Sequence, residues 1–390
     1  MLERARELHD KVRQWRRQLH RYPELGFNVH NTADFVSEKL RSFGCDEVVT
    51  GIGRTGVVGV IHGQGDSTGS VVGLRADMDA LPIHEETGAD WASNFPGCMH
   101  ACGHDGHTAM LLGAARILAE ERRFSGKVVL IFQPAEEGAG GGREMVEDGL
   151  MERFGVDRVF AMHNMPGISV GHFAIKPGPI MASASRLKLK VTGKGGHGAL
   201  PHTTKDPIVA ICAMVLEMQT IVSRNVDPLE PLVVSVGKIG GGEGISVIPG
   251  TAEFAGTVRT LSSDTTDLAE RRLTEIIGGL AQAHDVQADL EFMRNYPPTI
   301  NHLVETELAI ETARTVSGDE QVATGIAPLM ASEDFAFMLN ARPGAMIFIG
   351  NGESANLHHP AYDFNDDIIP AGISYWVRLA ERVLADLSAA

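Results

Sequence analysis

The chain has 390 residues, with 34 basic against 50 acidic side chains for a formal charge of −16, and is 43% apolar and 22% charged. That length gives two or three folding units with sizeable cores, and the composition is globular rather than disordered. The acidic balance repels phosphate backbones and anionic lipid surfaces, which excludes nucleic acid as an expected partner; neither an apolar run of about 18 residues nor a secretory signal is visible, so no membrane partner and a cytoplasmic location are expected.

Leu2, Ala5, Leu8, Val12, Trp15 and Leu19 recur every three or four residues and predict an amphipathic helix ending before Pro23. A second helix is expected over Thr32–Phe43, stopped by Gly44. Apolar runs at Val71–Leu74, Val128–Phe132 and Arg158–Ala161 then alternate with helical patterns from about His107 to Glu120 and near Glu144, the rhythm of an α/β sheet. From Arg186 the pattern becomes β-α-β-β-α-β: strands at Arg186–Val191, Leu232–Ile239, Thr251–Val258 and Ala288–Met293, with helices over Asp206–Val222 and Thr265–Ala283. That order is the ferredoxin-like split βαβ. Helices near Glu305–Val316 and Ser332–Asn340, a strand at Ala345–Ile349 and a closing helix from Ile369 return to α/β character. The expected organisation is therefore one α/β domain, residues 1–185 and 297–390, interrupted by an inserted module at 186–296.

Gly51-Ile-Gly-Arg-Thr-Gly56 matches a dinucleotide fingerprint, but strand-like Val57–Ile61 follows where the pyrophosphate-binding helix should stand. A hairpin turn is expected instead. Gly138–Gly142 has no Lys-Ser/Thr pair after it and reads as a tight turn. The four cysteines are too few for a disulfide scaffold, so a functional one is expected to be a thiolate ligand or a nucleophile.

The chemistry concentrates at His100-Ala-Cys-Gly-His-Asp-Gly-His107, where cysteine, histidine and aspartate donors suit zinc and related metals. Read as an extended segment, it turns Cys102 and His104 to one face. Adjacent Glu136 and Glu137 follow a predicted strand, His163 follows another, and Leu357-His-His-Pro360 supplies a further ligand candidate. Open α/β sheets place their sites at such strand ends, and two divalent ions with a neighbouring carboxylate suit hydrolysis.

His20–Gly26, Arg75–Pro82, His100–Thr108, Gln133–Gly138, Met162–Pro166, Gly195–His202 and Ser332–Phe335 together resemble the N-acyl-amino-acid amidohydrolases. The branch is that of hippurate hydrolase and the plant indole-acetyl-amino-acid hydrolases, related to aminoacylase and carboxypeptidase-G-type peptidases. The resemblance implies a di-metal peptidase-like α/β domain with a ferredoxin-like dimerisation lid, and thus a homodimer. It implies two divalent ions (zinc, manganese, cobalt or nickel) on Cys102, His104, Glu137, His163 and His358, with Glu136 as general acid/base. It also implies that His197 of the lid reaches the partner's site as an oxyanion donor. Asp77 stands where related peptidases orient a ligand histidine, but Arg75 replaces that histidine, so Asp77 is given no catalytic role. Where the family commonly has Asn-Val-Ile-Pro, this chain has Ser246–Pro249, which bears on the acyl-amino-acid preference; Arg259 is a candidate partner for the substrate carboxylate. A dipeptidase or an N-acetyl-diaminopimelate deacylase shares the same ligand set, and a non-catalytic binder would have no use for Glu136.

Overall fold

The computed structural model describes residues 2–64 and 69–389. In chain order its principal elements are helices α1 (His9–Arg21) and α2 (His30–Phe43), strands β1 (Glu47–Ile52), β2 (Gly56–His62) and β3 (Val71–Asp77), and helix α3 (His104–Glu121). Strands β4 (Lys127–Gln133), β5 (Arg158–Pro166) and β6 (Ala184–Thr192) follow, then α4 (Pro207–Glu217), β7 (Leu232–Gly241) and β8 (Thr251–Thr260). The chain ends with α5 (Ser263–His284), β9 (Gln287–Tyr296), α6 (Leu303–Ser317), β10 (Gly344–Gly352) and α7 (Ile369–Ala389). It divides into two compact units, one of Met1–Ile180, Ile300–Ala327 and Asp334–Ala390, the other of Met181–Thr299 and Pro328–Glu333. The second is wider than the 186–296 read from the sequence, because Ala182 N–H donates to the carbonyls of Leu329 (3.0 Å) and Ala331 (2.8 Å) and draws that loop in.

In the first unit an eight-stranded sheet runs β1-β2-β4-β3-β5-β10 and closes with the two-residue strands Phe173–Ala174 and Val322–Ala323. Strand β3 is parallel to both β4 and β5, and β5 is parallel to β10. These strands are buried almost throughout, which is why they read as unbroken apolar runs rather than alternating ones. The glycine-rich Gly51–Gly56 segment is a hairpin between antiparallel β1 and β2, as expected of a motif lacking its helix. Helix α3 packs on β3 and against α1, α2 and α7, and it is apolar nearly all round because it has neighbours nearly all round. Gly44 closes α2 at φ 82°, a left-handed cap that glycine adopts without a Cβ clash. The N-terminal helical stripe is interrupted at Leu8, giving Glu3–Glu7 and then α1.

In the second unit the sheet order is β9-β6-β8-β7, antiparallel throughout. Parallel β6 and β7 are thus split by β8, the ferredoxin-like arrangement. Leu187, Leu189 and Val191 point into a core with Ala210, Ile211 and Met214 of α4 and Leu273 and Ile277 of α5, while Arg186, Lys188 and Lys190 face outward. Asp206 caps α4 by accepting from Ile208 N (2.8 Å), with Pro207 at the first helical position. The stretch Pro207–Asn225 is long and apolar enough to cross a bilayer by length and composition. Its apolar residues Ala210, Ile211, Met214, Met218 and Ile221 instead fill this unit's core. The α-helix ends at Glu217, short of Val222, and a π-helical turn over Ile221–Asn225 follows.

Candidate metal centre

Parallel strands β3, β4, β5 and β10 present their carboxyl ends together, and the sequence places polar residues at those ends: Arg75 and Asp77 on β3, Gln133 on β4, His163 and Asn164 on β5. Helix α3 starts at His104, three residues before the expected position, so Cys102 and His104 do not lie on one extended segment. Gly103 breaks the chain between them at φ 87°. A side chain there would meet Asn164 Oδ1 at 2.3 Å and the Tyr362 hydroxyl at 2.7 Å, so only glycine lets the helix begin in this position.

Despite that turn, the sulfur and the imidazole converge. The donor atoms of Cys102, His104 and His163 all lie within 4.8 Å of one another; so do those of Cys102, Glu137 and His358, and those of His104, Glu136 and Glu137. Cys102 Sγ is 3.3 Å from His163 Nε2, and Glu137 Oε1 is 3.3 Å from His358 Nε2 and 3.9 Å from His104 Nε2. Two overlapping groups that share Cys102 are the arrangement two adjacent cations need. His104 Nδ1 donates to the Asp79 carbonyl (2.8 Å) and His163 Nδ1 to the Asn164 carbonyl (2.6 Å), which leaves each Nε2 turned toward the cluster. Among the described residues, buried His104 Nε2 makes no well-formed hydrogen bond, and buried Glu137 Oε1 has only its charged contacts with His358 Nε2 and His104 Nε2. Buried polar atoms left in this way are costly, and a cation would satisfy both. His358 is held in the left-handed region at φ 63°, with its N–H on the Ala101 carbonyl (2.8 Å), so backbone strain helps to aim its ring.

The electrostatics show a pocket short of positive charge. Burial and the Glu137 carboxylate push the Cys102 thiol up. Hydrogen bonds to Cys102 and Glu137 push His358 up to about 10. Burial opposes charge on Glu137, yet His358 and His104 hold its carboxyl below the ordinary range. Burial likewise opposes the His104 imidazolium, but Asp77 and Cys102 raise it well above 6.5. Dications at these donors would displace the protons the site otherwise retains. Glu136 is buried, and Asp334 N–H donates to its Oε1 at 3.3 Å.

His197 lies in the second unit, exposed at the end of the two-residue strand Gly196–His197, where its backbone pairs with Val247 and its Nδ1 accepts from Ala199 N (3.0 Å) in the turn that follows. The Ser246 carbonyl takes Gly198 N–H (2.8 Å), so the position that departs from the usual asparagine abuts that turn. Arg259 is half-buried with no acidic partner among the described residues; burial and neighbouring Arg186 lower its pKa.

Sequence reading missed several groups beside the cluster. Asp77 bonds Arg75 (2.8 Å) and His107 Nδ1 (2.6 Å) and lies 3.7 Å from His104 Nε2. Asp79 accepts from the backbone of both Glu136 and Glu137. Asp334 accepts from Arg75, Gln133 and Gly142. The Arg75–Pro82 and Ser332–Phe335 motifs contained these aspartates, but nothing in their spacing disclosed the partners.

The profile of peptidase family M20/M25/M40 matches residues 73–382. A hippurate hydrolase of Campylobacter jejuni is 43% identical over 378 residues, covering 97% of this chain and 98% of its own. An N-acetyl-L-cysteine deacetylase of Bacillus subtilis is 40% identical, covering 95% and 87% respectively. Among solved structures, the Bacillus subtilis YXEP protein, described as a dinuclear metal-binding peptidase of the M20 family, superposes with a TM-score of 0.86 at 32% identity over 97% of this chain and 99% of that one. The motifs, the sheet and these likenesses agree, and the chain belongs to peptidase family M20/M25/M40, among its N-acyl-amino-acid amidohydrolases.

Proposed function

We propose that this chain is a metal-dependent amidohydrolase that cleaves an N-acyl amino acid into a carboxylic acid and a free amino acid. Cys102, His104, Glu137, His163 and His358 would hold two divalent ions, and Glu136 is the general acid/base. The observation that carries this reading is the pair of overlapping donor groups sharing Cys102, centred on buried His104 Nε2 and Glu137 Oε1 beside buried Glu136.

When bound, two divalent ions supply Lewis acidity to the acyl oxygen and lower the pKa of the attacking water. Glu136, fixed through Oε1 by Asp334 N–H, takes the proton of that water and delivers it to the leaving nitrogen. His163 and His104 keep their tautomers because each Nδ1–H is committed to a carbonyl. A thiolate with imidazoles suits zinc, and manganese, cobalt and nickel suit the same set. The names of the relatives, hydrolases of hippurate and of N-acetylcysteine, support N-acyl amino acids as the substrate class.

The same proposal makes the protein a cytoplasmic homodimer joined through the second unit, with His197 of one subunit donating to the oxyanion in the other and Arg259 taking the substrate carboxylate. Two features support the dimer: among the described residues β7 is a sheet edge with no strand beyond it, and Leu216 and Leu229 are 74% and 89% exposed.

The test is a panel of N-benzoyl, N-acetyl and N-indoleacetyl amino acids together with dipeptides, each with zinc, manganese, cobalt and nickel, scored by released amine. Metal content is measured in parallel. N-acyl amino acids should be preferred at two ions per chain. Turnover of dipeptides alone would move the assignment to a dipeptidase, and metal without any turnover would make the protein a binder.

A further inference from the structure

We infer that Asp79 is a positioning residue that sets the geometry of Glu136, Glu137 and His104 at once; the inference rests on the roles proposed for those three. Asp79 is 1% exposed. Its Oδ1 accepts Glu136 N–H at 3.0 Å, its Oδ2 accepts Glu137 N–H at 3.1 Å, and its own carbonyl accepts His104 Nδ1–H at 2.8 Å.

Successive amides of an extended chain point to opposite sides, so two consecutive N–H groups reach one carboxylate only where the backbone turns. Here Ala135 supplies the turn at φ 55°. The amides after it form a concave nest of the kind that binds anions, and the Asp79 carboxylate fills it. This fixes the chain direction at two neighbouring glutamates, so that one carboxylate joins the donor group with Cys102 and His358 while the other meets Asp334 N–H.

The carbonyl of the same residue fixes the third partner. With Nδ1–H committed to Asp79, the nitrogen of His104 that would give up its proton to a bound cation is Nε2, the buried atom that faces Glu137 Oε1. Asp79 follows β3 by two residues, whereas Glu136 and Glu137 follow β4 and His104 opens α3. One side chain and one carbonyl thereby lock three separate elements into a common register. Outer-shell partners of this kind typically govern metal affinity and rate by about 10–100-fold.

Asp79→Asn tests this directly. It keeps the size and the backbone carbonyl but puts an amide donor against one of the two N–H groups. The cobalt(II)-loaded variant should show shifted visible absorption bands, about 10–100-fold weaker cobalt affinity by chelator competition, and a lower kcat for N-benzoylglycine at nearly unchanged KM. Asp79→Glu serves as the second variant: it keeps the charge but displaces it by a methylene, and it should fail to restore the spectrum. Wild-type spectrum, affinity and kcat in Asp79→Asn would overturn the inference. So would full rescue by Asp79→Glu, or losses that merely track the unfolded fraction. Glu136→Gln, measured alongside, separates the two readings: full turnover in that variant would remove the proposed roles themselves, whatever Asp79 does.

Discussion

Arg75→Met isolates what holds the floor of the site together. Arg75 Nη1 lies 2.8 Å from Asp77 Oδ2, Nη2 lies 3.1 Å from Asp334 Oδ1, and Nε donates to Gln133 Oε1 at 2.8 Å. The arginine and both aspartates are at most 1% exposed. Methionine nearly conserves the volume, so the cavity contribution is small, and the loss comes from leaving two carboxylates without their shared cation. Removing one partner of a buried ion pair costs about 3–5 kcal/mol. Some support survives, since His107 still bonds Asp77 and the Gly142 and Gln133 donors still reach Asp334, so the lower end, about 3 kcal/mol, is expected. Urea unfolding followed by tryptophan fluorescence reads the right unit, because all three tryptophans, Trp15, Trp91 and Trp376, lie in the first one. The midpoint should fall with the slope unchanged. A further Asp334→Asn change should recover part of the loss, as a coupling between neighbours. A loss below about 1 kcal/mol for Arg75→Met would show that the carboxylates are satisfied without the arginine and would refute the reasoning.

Glu136→Gln should keep two ions per chain by metal analysis while kcat falls by about 10²–10⁴, the span of general acid–base catalysis; mixed with His197→Ala, it should regain about a quarter of wild-type activity if the histidine acts across a dimer, and none if it acts within one chain. Cys102→Ala should weaken metal binding by more than about 100-fold in chelator competition, because it removes the donor common to both groups rather than an outer support; full occupancy would make the cysteine structural. Against its partial burial, His20, Thr87 and the Ser93 amide hold Glu85 down, from the ordinary 4.5 to about 2. Its stabilising contribution is therefore complete above pH 4.5 and lost as the pH falls toward 2. Glu85→Gln should flatten the acid limb of the urea midpoint in that window, and an unchanged limb would assign acid sensitivity elsewhere.

The sequence disclosed what depends on periodicity and local backbone chemistry. Gly44 marked the end of α2 because a left-handed cap favours glycine, and the strict alternation of Arg186–Val191 marked a strand with one face in a core. The Gly51–Gly56 motif could be set aside because its chemistry requires a helix that Val57–Ile61 does not provide. The start of α3 at His104 is hidden in the sequence for an equally physical reason. His104, Asp105 and Gly106 are weak helix formers, so only apolar periodicity from His107 onward announced the helix, whereas the actual first turn is held by contacts from Asp79, His20 and Arg16. Those partners lie 25 or more residues away in the chain, and no local pattern encodes them.

Arg75 shows the same limit from the other side. In the sequence, the resemblance sets Arg75 where related peptidases have a ligand histidine, and on that ground Asp77 is given no catalytic role. In the fold, Arg75 neutralises Asp77 and Asp334 beneath the cluster, and Asp77 turns its other oxygen to His107, whose ring packs 4.5 Å from that of His163. Asp77 at the β3 end falls in a candidate donor group with His104 and His107, but the groups that share Cys102 draw their donors from the residues around the α3 N-terminus, the loop after β4, β5 and the loop at His358. Donors gathered from so many elements need a common reference. The segment after β3 supplies one through Asp79, which touches two of the contributing elements by accepting from the backbone amides of Glu136 and Glu137 and from the His104 imidazole. The buried ion pairs of Arg75 and the contacts of Asp79 are thus two parts of one arrangement: the β3 end braces Asp77 and Asp334, and the segment just after it braces Glu136, Glu137 and His104.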